Sequence, residues 1–391
     1  MLRDLLRTRP GRVAAVATLA VAAATAISMA ILWPTGESDA KLAPTLTQRT
    51  ELAQVLTVKD VECSAPGLRN CRRVRVALKS GRDEGRSFDL DEGGGPSPLP
   101  LSAGNRLRVA RNAQTEGAPE LQPYAIADFD RRSPMLWLLI TFIVIVAVLG
   151  RRRGVMALVG LGVSLGVVIL FVVPAILDGR PPLAVALAGG LAVMLATITL
   201  AHGLGPKSIA AALGTAASLA LTVGLALAFT ELAHLSGFAS EEAALVQASG
   251  ADISLEGLVL AGMVIGALGV LDDVTVSQAS AVMALRRANP AQRWHELYRG
   301  ALDVGRDHVA ATVNTLVLAY AGASLPILLV FSVGATPFAD AVNGEAVAEQ
   351  IVATLVGSIG LIAAVPITTA LAALLASRLP AERLPTASHA H

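Results

Sequence analysis

The sequence predicts a membrane all-α polytopic bundle of about eight transmembrane helices, with a small extracytoplasmic β-rich, barrel-like domain. Three observations predict it. Apolar runs of about 20 residues, each long enough to cross a hydrocarbon core, recur along the chain. Charged residues are 16% of the whole, where a soluble chain carries about 25%, and they crowd residues 34–132 and a few short loops. Within 34–132 apolar and charged positions alternate at the period of a half-buried strand. A mean hydropathy of +0.62 agrees. The net charge of +1 says little, because the charges are segregated.

The first apolar run extends from about Arg12 to Trp33, behind Arg3, Arg7, Arg9 and Arg12. A cleaved secretory signal shares that basic start, but the run is longer than an ordinary signal core and no small-x-small cleavage pattern follows Trp33. A retained anchor is the expectation, and either reading puts residue 34 outside. The domains expected are therefore a cytoplasmic tail and anchor over 1–33, the β-rich domain over 34–132, a seven-helix membrane domain over 133–377 and a cytoplasmic tail over 378–391.

In the β-rich stretch, CRRVRVALKSG alternates Val74, Val76 and Leu78 with charged neighbours. ELAQVLTVKDVE, RSFDLDE and NRLRVARN repeat the character, separated by punctuation such as DEGGGPSP. Several short strands suggest an antiparallel barrel or sandwich. Cys63 and Cys71 flank the turn SAPGLRN; in an oxidising compartment a disulfide is expected there, with two free thiols as the alternative.

The second run, MLWLLITFIVIVAVLG, ends at Arg151, Arg152 and Arg153. Further runs cover about Val155–Leu177, Leu183–Ala201, Ile209–Leu232, Leu255–Leu285, Ala310–Val333 and Ile351–Ala376. With the N-terminus inside, the cytoplasmic segments hold about 15 Lys and Arg, whereas the short outer loops hold only Arg180 and are acidic. That bias predicts N-in and C-in. In the 286–308 loop, Trp294, Leu297, Tyr298 and Ala301 fall at helical spacing opposite Arg293, Glu296 and Asp303, as in a short amphipathic interfacial helix.

Candidate chemistry concentrates in the sixth run, where Asp272 and Asp273 stand near the middle of an apolar stretch. Centring one Asp in a bilayer helix costs about 2.5–3.5 kcal/mol. Adjacent residues point about 100° apart, so both carboxylates are best satisfied at a helix break or a cavity corner. At about 30 residues the run exceeds the roughly 20 that suffice, which predicts a kink near Leu271–Asp273. Asp273, Ser277 and Ser280 share a face, with Gln278 nearby, and Gly262, Gly266 and Gly269 offer a seam for a neighbouring helix.

Three readings of the acid pair stand side by side: a proton- or cation-coupled permeation site, a structural polar knot, and an intramembrane hydrolase. The last fits worst, since two neighbours on one helix do not converge on one scissile bond. In the seventh run Arg306 and Asp307 sit at the cytoplasmic mouth, with Asn314 and Thr315 one to two turns inside. The eighth places Pro366, Thr368 and Thr369 at membrane depth, where Pro frees a backbone carbonyl. No His/Cys spacing suits zinc, no basic run interleaves with aromatics as nucleic-acid binding needs, and no G-x-x-x-x-G-K-S/T motif occurs.

Read together, GALGVLDDVTVSQASAV at 266–282, VGRDHVAATVNTLVLAYAGASLPILL at 304–329 and GSIGLIAAVPITTALAA at 357–373 resemble the bacterial YibE/F-like membrane protein family. YAIADFDRRSPMLWL at 124–138 also fits, so the resemblance spans roughly 45–377. It implies a polytopic protein of the bacterial cytoplasmic membrane, with suspected transport. Family members often carry Met–Asp where this chain has Asp272–Asp273, so the resemblance places the weight on Asp273.

The function expected is a secondary transporter or permease for a small ion or solute, with Asp273 as the responsive group. Asp272, Ser277, Gln278, Asn314 and Thr315 would surround it. The rival is a non-transporting scaffold or sensor whose β-domain binds an envelope partner. The partners expected are the lipid bilayer, a small ion or solute, and an envelope protein or a second copy, without nucleic acid. No enzymatic activity, cofactor or metal is expected.

Overall fold

The computed structural model describes residues 5–36, 49–63, 70–93, 99–112, 122–239, 241–248, 252–334 and 336–379. Most of the SAPGLRN turn, residues 94–98 of the glycine-rich DEGGGPSP punctuation, Arg3, the end of the C-terminal tail and the side chains of Arg153, Glu241 and Glu242 lie outside these. The chain divides into two compact units, Leu42–Val148 and a second formed by Met1–Lys41 with Leu149–His391.

In the first unit the alternating segments form five antiparallel strands: β1 (Thr50–Asp60), β2 (Arg72–Leu78), β3 (Ser87–Glu92), β4 (Arg106–Arg111) and β5 (Tyr124–Phe129), in the order β3-β2-β1-β4-β5. Val55 pairs with Val76, and Val76 with Phe88. A bulge between Val55 and Thr57 lets both Val55 and Val58 pack inward, although they stand an odd three positions apart. The core is one face of the sheet: Ala53, Val55, Val74, Val76, Leu90, Leu107 and Val109 are buried.

The sheet curls until its edges meet. Phe88 on β3 and Tyr124 on β5 bring their rings to 5.1 Å, and the Asp91 N–H donates to Gln122 Oε1 at 3.0 Å. The result is a half-barrel. Its outer face carries two cross-strand ion pairs, Arg73–Asp91 and Arg75–Asp89, both at 2.7 Å and exposed. Cys63 and Cys71 are joined in a disulfide.

The remaining chain is helical. Helix α1 is Arg9–Ile31, α2 is Arg132–Arg152 and α3 is Gly154–Leu177. There follow α4 (Pro182–His202), α5 (Pro206–Leu232), the short α6 (Glu241–Ala248), α7 (Leu255–Ala288), α8 (Trp294–Ala323), α9 (Leu325–Val333), α10 (Phe338–Asn343) and α11 (Glu345–Ser377). Among the described residues seven helices are long and apolar enough to cross a membrane, and eight if the bent pair α8–α9 is one span. No residue of the α2 span is buried, and contact groups it with the sheet as far as Val148, so the unit boundary falls later than residue 132.

Each helix end has a local cause. Thr8 caps α1 by accepting the Gly11 N–H at 3.1 Å, and Ser254 caps α7 by accepting from Gly257 at 3.0 Å. In α3 the stretch Val168–Val172 widens to a π-turn just ahead of Pro174, which has no N–H to donate. Beyond α3, Asp178 Oδ2 accepts from the backbone N–H groups of Thr35 and Gly36 at 2.6 and 3.0 Å.

The core of this second unit is built where α4, α5, α7, α8 and α11 meet. Glycine permits the closest approach. A β-carbon at Gly214 of α5 would overlap the Thr368 side chain of α11, and one at Gly360 of α11 would overlap Thr222 of α5.

Three expectations change. Helix α7 is continuous over 34 residues, with no break at Leu271–Asp273. Its last turn carries Arg286 and Arg287. Second, the amphipathic segment is the first part of one 30-residue helix, α8, and the bend of 56° comes later, before Leu325. Leu297, Ala301 and Gly305 are its buried face, and Trp294 Nε1 donates to the Ala370 carbonyl at 3.2 Å. Third, Gly262, Gly266 and Gly269 meet no helix backbone; at Gly266 the one neighbour is the Tyr320 hydroxyl.

Candidate functional site

Asp272 and Asp273 leave α7 in different directions, as adjacent helical residues must. Asp272 is half-buried and points toward α4, whereas Asp273 is exposed. The carboxylate held inside the bundle is therefore Asp272, the reverse of the weighting that the resemblance gave. Ser277 is exposed on the same side as Asp273, and Gln278 is buried.

Thr197 of α4 stands at 3.1 Å from Asp272 Oδ2. Its hydroxyl also lies within 2.9 Å of the Val193 carbonyl and 3.1 Å of the Met194 carbonyl. A hydroxyl carries one proton, so it serves one of these acceptors at a time. When Asp272 is ionised, Thr197 can donate to it. When Asp272 is protonated, the acid can donate to Thr197, whose own proton then goes to its helix backbone. The other carboxylate oxygen, Asp272 Oδ1, is buried without a hydrogen-bond partner.

Hydroxyls and an amide continue from this point. Thr275 donates to the Asp272 backbone carbonyl at 3.1 Å and lies 2.6 Å from Thr215 of α5. One turn further, Thr369 of α11 donates to Gln278 Oε1 at 3.1 Å. Along the α5–α11 seam, Ser218, Ser358 and Thr368 bury hydroxyls that have no hydrogen-bond partner. An unsatisfied buried polar group costs about 1–3 kcal/mol, and such groups are what an internal water or ion satisfies.

The other sequence candidates do not converge here. Arg306 and Asp307 are exposed on α8, and Arg306 pairs with Asp303 at 2.9 Å. Asn314 and Thr315 are also exposed, and the Thr315 hydroxyl bonds back to the Ala311 carbonyl at 3.0 Å. Pro366 lies inside α11 without ending it, and Thr368 and Thr369 are fully buried. Among the described residues no group of three His, Cys, Asp or Glu side chains could hold a metal ion.

Thr197, Thr215 and Thr275 carry the polar contacts, yet none stood out in the sequence. A signal was present: Thr215, Ser218 and Thr222 share one face of an Ala- and Leu-rich helix at three- and four-residue spacing.

One family model, described as YibE/F-like protein, matches residues 138–378, more than half of the chain. The match begins later than residue 45, so the half-barrel lies outside it. No curated protein and no solved structure matches.

Proposed function

We propose, from the premise that this chain belongs to the YibE/F-like family, that its helical bundle is a proton- or cation-coupled permease in which Asp272 is the responsive group. The observation that carries this reading is the state of Asp272: Oδ2 shares one hydroxyl proton with two backbone acceptors, and Oδ1 is buried with no partner. A purely structural knot would satisfy both oxygens. Here the protonation state of the acid decides which way the Thr197 bond runs, so gaining and losing a proton or cation rearranges the α4–α7 contact. Buried hydroxyls on α5 and α11 without protein partners would line the route.

The setting belongs to the same reading. The protein would lie in a bacterial cytoplasmic membrane, N-in and C-in, with the half-barrel outside. Arg and Lys placement supports that orientation. The Cys63–Cys71 disulfide supports an oxidising side for the half-barrel. No catalytic chemistry and no cofactor enter this reading.

The test is flux in proteoliposomes that hold the purified full chain and a pH-sensitive dye, under imposed pH and potassium gradients. The parent should conduct above protein-free vesicles, Asp272→Asn should lose flux at least tenfold, and Asp273→Asn should retain it. Equal flux for Asp272→Asn and the parent would remove Asp272 from the mechanism. The absence of flux across protons, monovalent and divalent cations would favour the scaffold or sensor reading, which rests on the half-barrel being a unit with its own core and a charged outer face.

A further inference from the structure

Two cavities share Leu255 at the start of α7. The inner one, of about 280 Å³, lies among α6, α7, α8 and α11 and is lined by Glu349, Gln350 and Tyr320 on otherwise apolar walls that include Val259, Gly262 and Met263. The outer one, of about 460 Å³, adds Asp252 and Glu256. Among the described residues no Lys, Arg or His lines either cavity.

Two nearby carboxylates behave differently. Glu345 is engaged in structure: its Oε1 accepts from the Gly237 N–H at 2.8 Å and from the Ser236 hydroxyl, also at 2.8 Å, which fixes the loop after α5. Glu349, one turn along α11, is half-buried and makes no hydrogen bond or ion pair among the described residues, although it lines the inner cavity.

We propose that the inner cavity binds a small organic cation, a protonated amine or a quaternary ammonium ion. The sign follows from the carboxylates and from the cations missing from the lining. The charge follows from Glu349 being the one acidic side chain among the described residues that line the inner chamber, enough for a monocation. The class follows from the other walls. A divalent ion would find one carboxyl group against its two charges, with only a neutral amide and a phenol beside it. The Tyr320 ring offers a cation–π face, and Met263 and Val259 offer surface for alkyl groups. The volume sits at the lower end of ligand pockets, which admits an amine of a few carbons and excludes large ligands. Asp252 and Glu256, which line the neighbouring cavity, add negative charge that draws cations to this region.

This goes beyond the role given to Asp272, and binding is read without flux, so the two ideas fail separately. Titration calorimetry of the full chain in nanodiscs would use tetramethylammonium and propylammonium chloride, with potassium and magnesium chloride as comparisons. At least one ammonium ion should bind in preference to potassium and magnesium. Glu349→Gln should weaken it at least tenfold, and so should Gly262→Leu, which fills the cavity at a glycine with no other atoms near its β-position. Tyr320→Phe should keep binding and Tyr320→Leu should weaken it several-fold. Unaltered affinity in Glu349→Gln, a preference for potassium or magnesium, or no ammonium binding by the well-folded parent would overturn the proposal.

Discussion

Thr197 and Asp272 meet across two neighbouring helices with 3.1 Å between hydroxyl and carboxylate oxygen, and that hydroxyl already has a backbone carbonyl of its own at 2.9 Å. If this contact is the working part, Thr197→Val should reduce coupled flux about tenfold with little loss of folded protein, because valine keeps the shape and removes only the shared proton. Asp273→Asn should change flux less than twofold. The opposite ranking in the vesicle assay would return the role to Asp273.

The glycines separate into those that pack and those that do not. Gly214→Leu should destabilise the detergent-solubilised protein by about 1–3 kcal/mol or more, through overpacking against Thr368. Gly269→Ala, where no neighbouring atom lies within contact of a β-carbon, should lose nothing and gain up to about 1 kcal/mol of helix propensity. Denaturant titration of both variants checks this, and equal losses would mean the α5–α11 approach is not what Gly214 secures.

Tyr124 should titrate late. Burial, with the hydrogen bond to Asp83 at 2.8 Å, pushes its phenol up to about 12. Because the folded value lies above the unfolded one, the stabilisation is full below about pH 10 and is lost as pH rises toward 12. The same bond, with Arg86, holds Asp83 below its usual carboxylate range, so that contribution is present at neutral pH and is lost as pH falls through the lowered value. The phenolate absorbance difference between the parent and Tyr124→Phe should have its midpoint near 12; a midpoint near 10 would contradict the buried contact.

The bond between Cys63 and Cys71 closes a short loop across a sequence separation of 8. Chain-entropy reasoning gives such a loop about 2–3 kcal/mol. The double substitution Cys63→Ala with Cys71→Ala should lower half-barrel stability by about that amount and leave the helical unit's transition unmoved. Hydrogen exchange at β1 and β2 reads it, and unchanged protection there would show the bond to be idle.

Much of this was legible in residues. Runs of apolar side chains marked the helices, Val74, Val76 and Leu78 marked the inward face of β2, and punctuation marked the breaks. Facing was not legible. Helix α7 is apolar on most sides, so nothing in the order of its residues says whether Asp272 or Asp273 turns inward; only the position of Thr197, 75 residues away, decides it. The glycines misled for a related reason: a small residue permits close approach but does not summon a partner, and α5 supplied its partner at Gly214 rather than at the α7 series. The continuity of α8 was hidden because Arg306 and Asp307 look like a loop, yet charges on an exposed helical face need no break.

Helix contacts in the bundle fall into two mechanical kinds. Side-chain bonds pin α4 to α7, α5 to α7 and α7 to α11, through Thr197–Asp272, Thr215–Thr275 and Thr369–Gln278. Between α5 and α11 the described contacts are glycine against threonine, and the Thr222 hydroxyl is bonded back to the Ser218 carbonyl of its own helix at 2.8 Å. Helix α7 is thus a common strut: α5 and α11 share no direct side-chain bond among the described residues, yet neither can move along the other without releasing its own tie to α7. If the bundle changes shape with the state of Asp272, spin labels placed across α4 and α7 should register a change in distance with pH, while labels across the α5–α11 seam, both of whose helices are tied to α7, hold still.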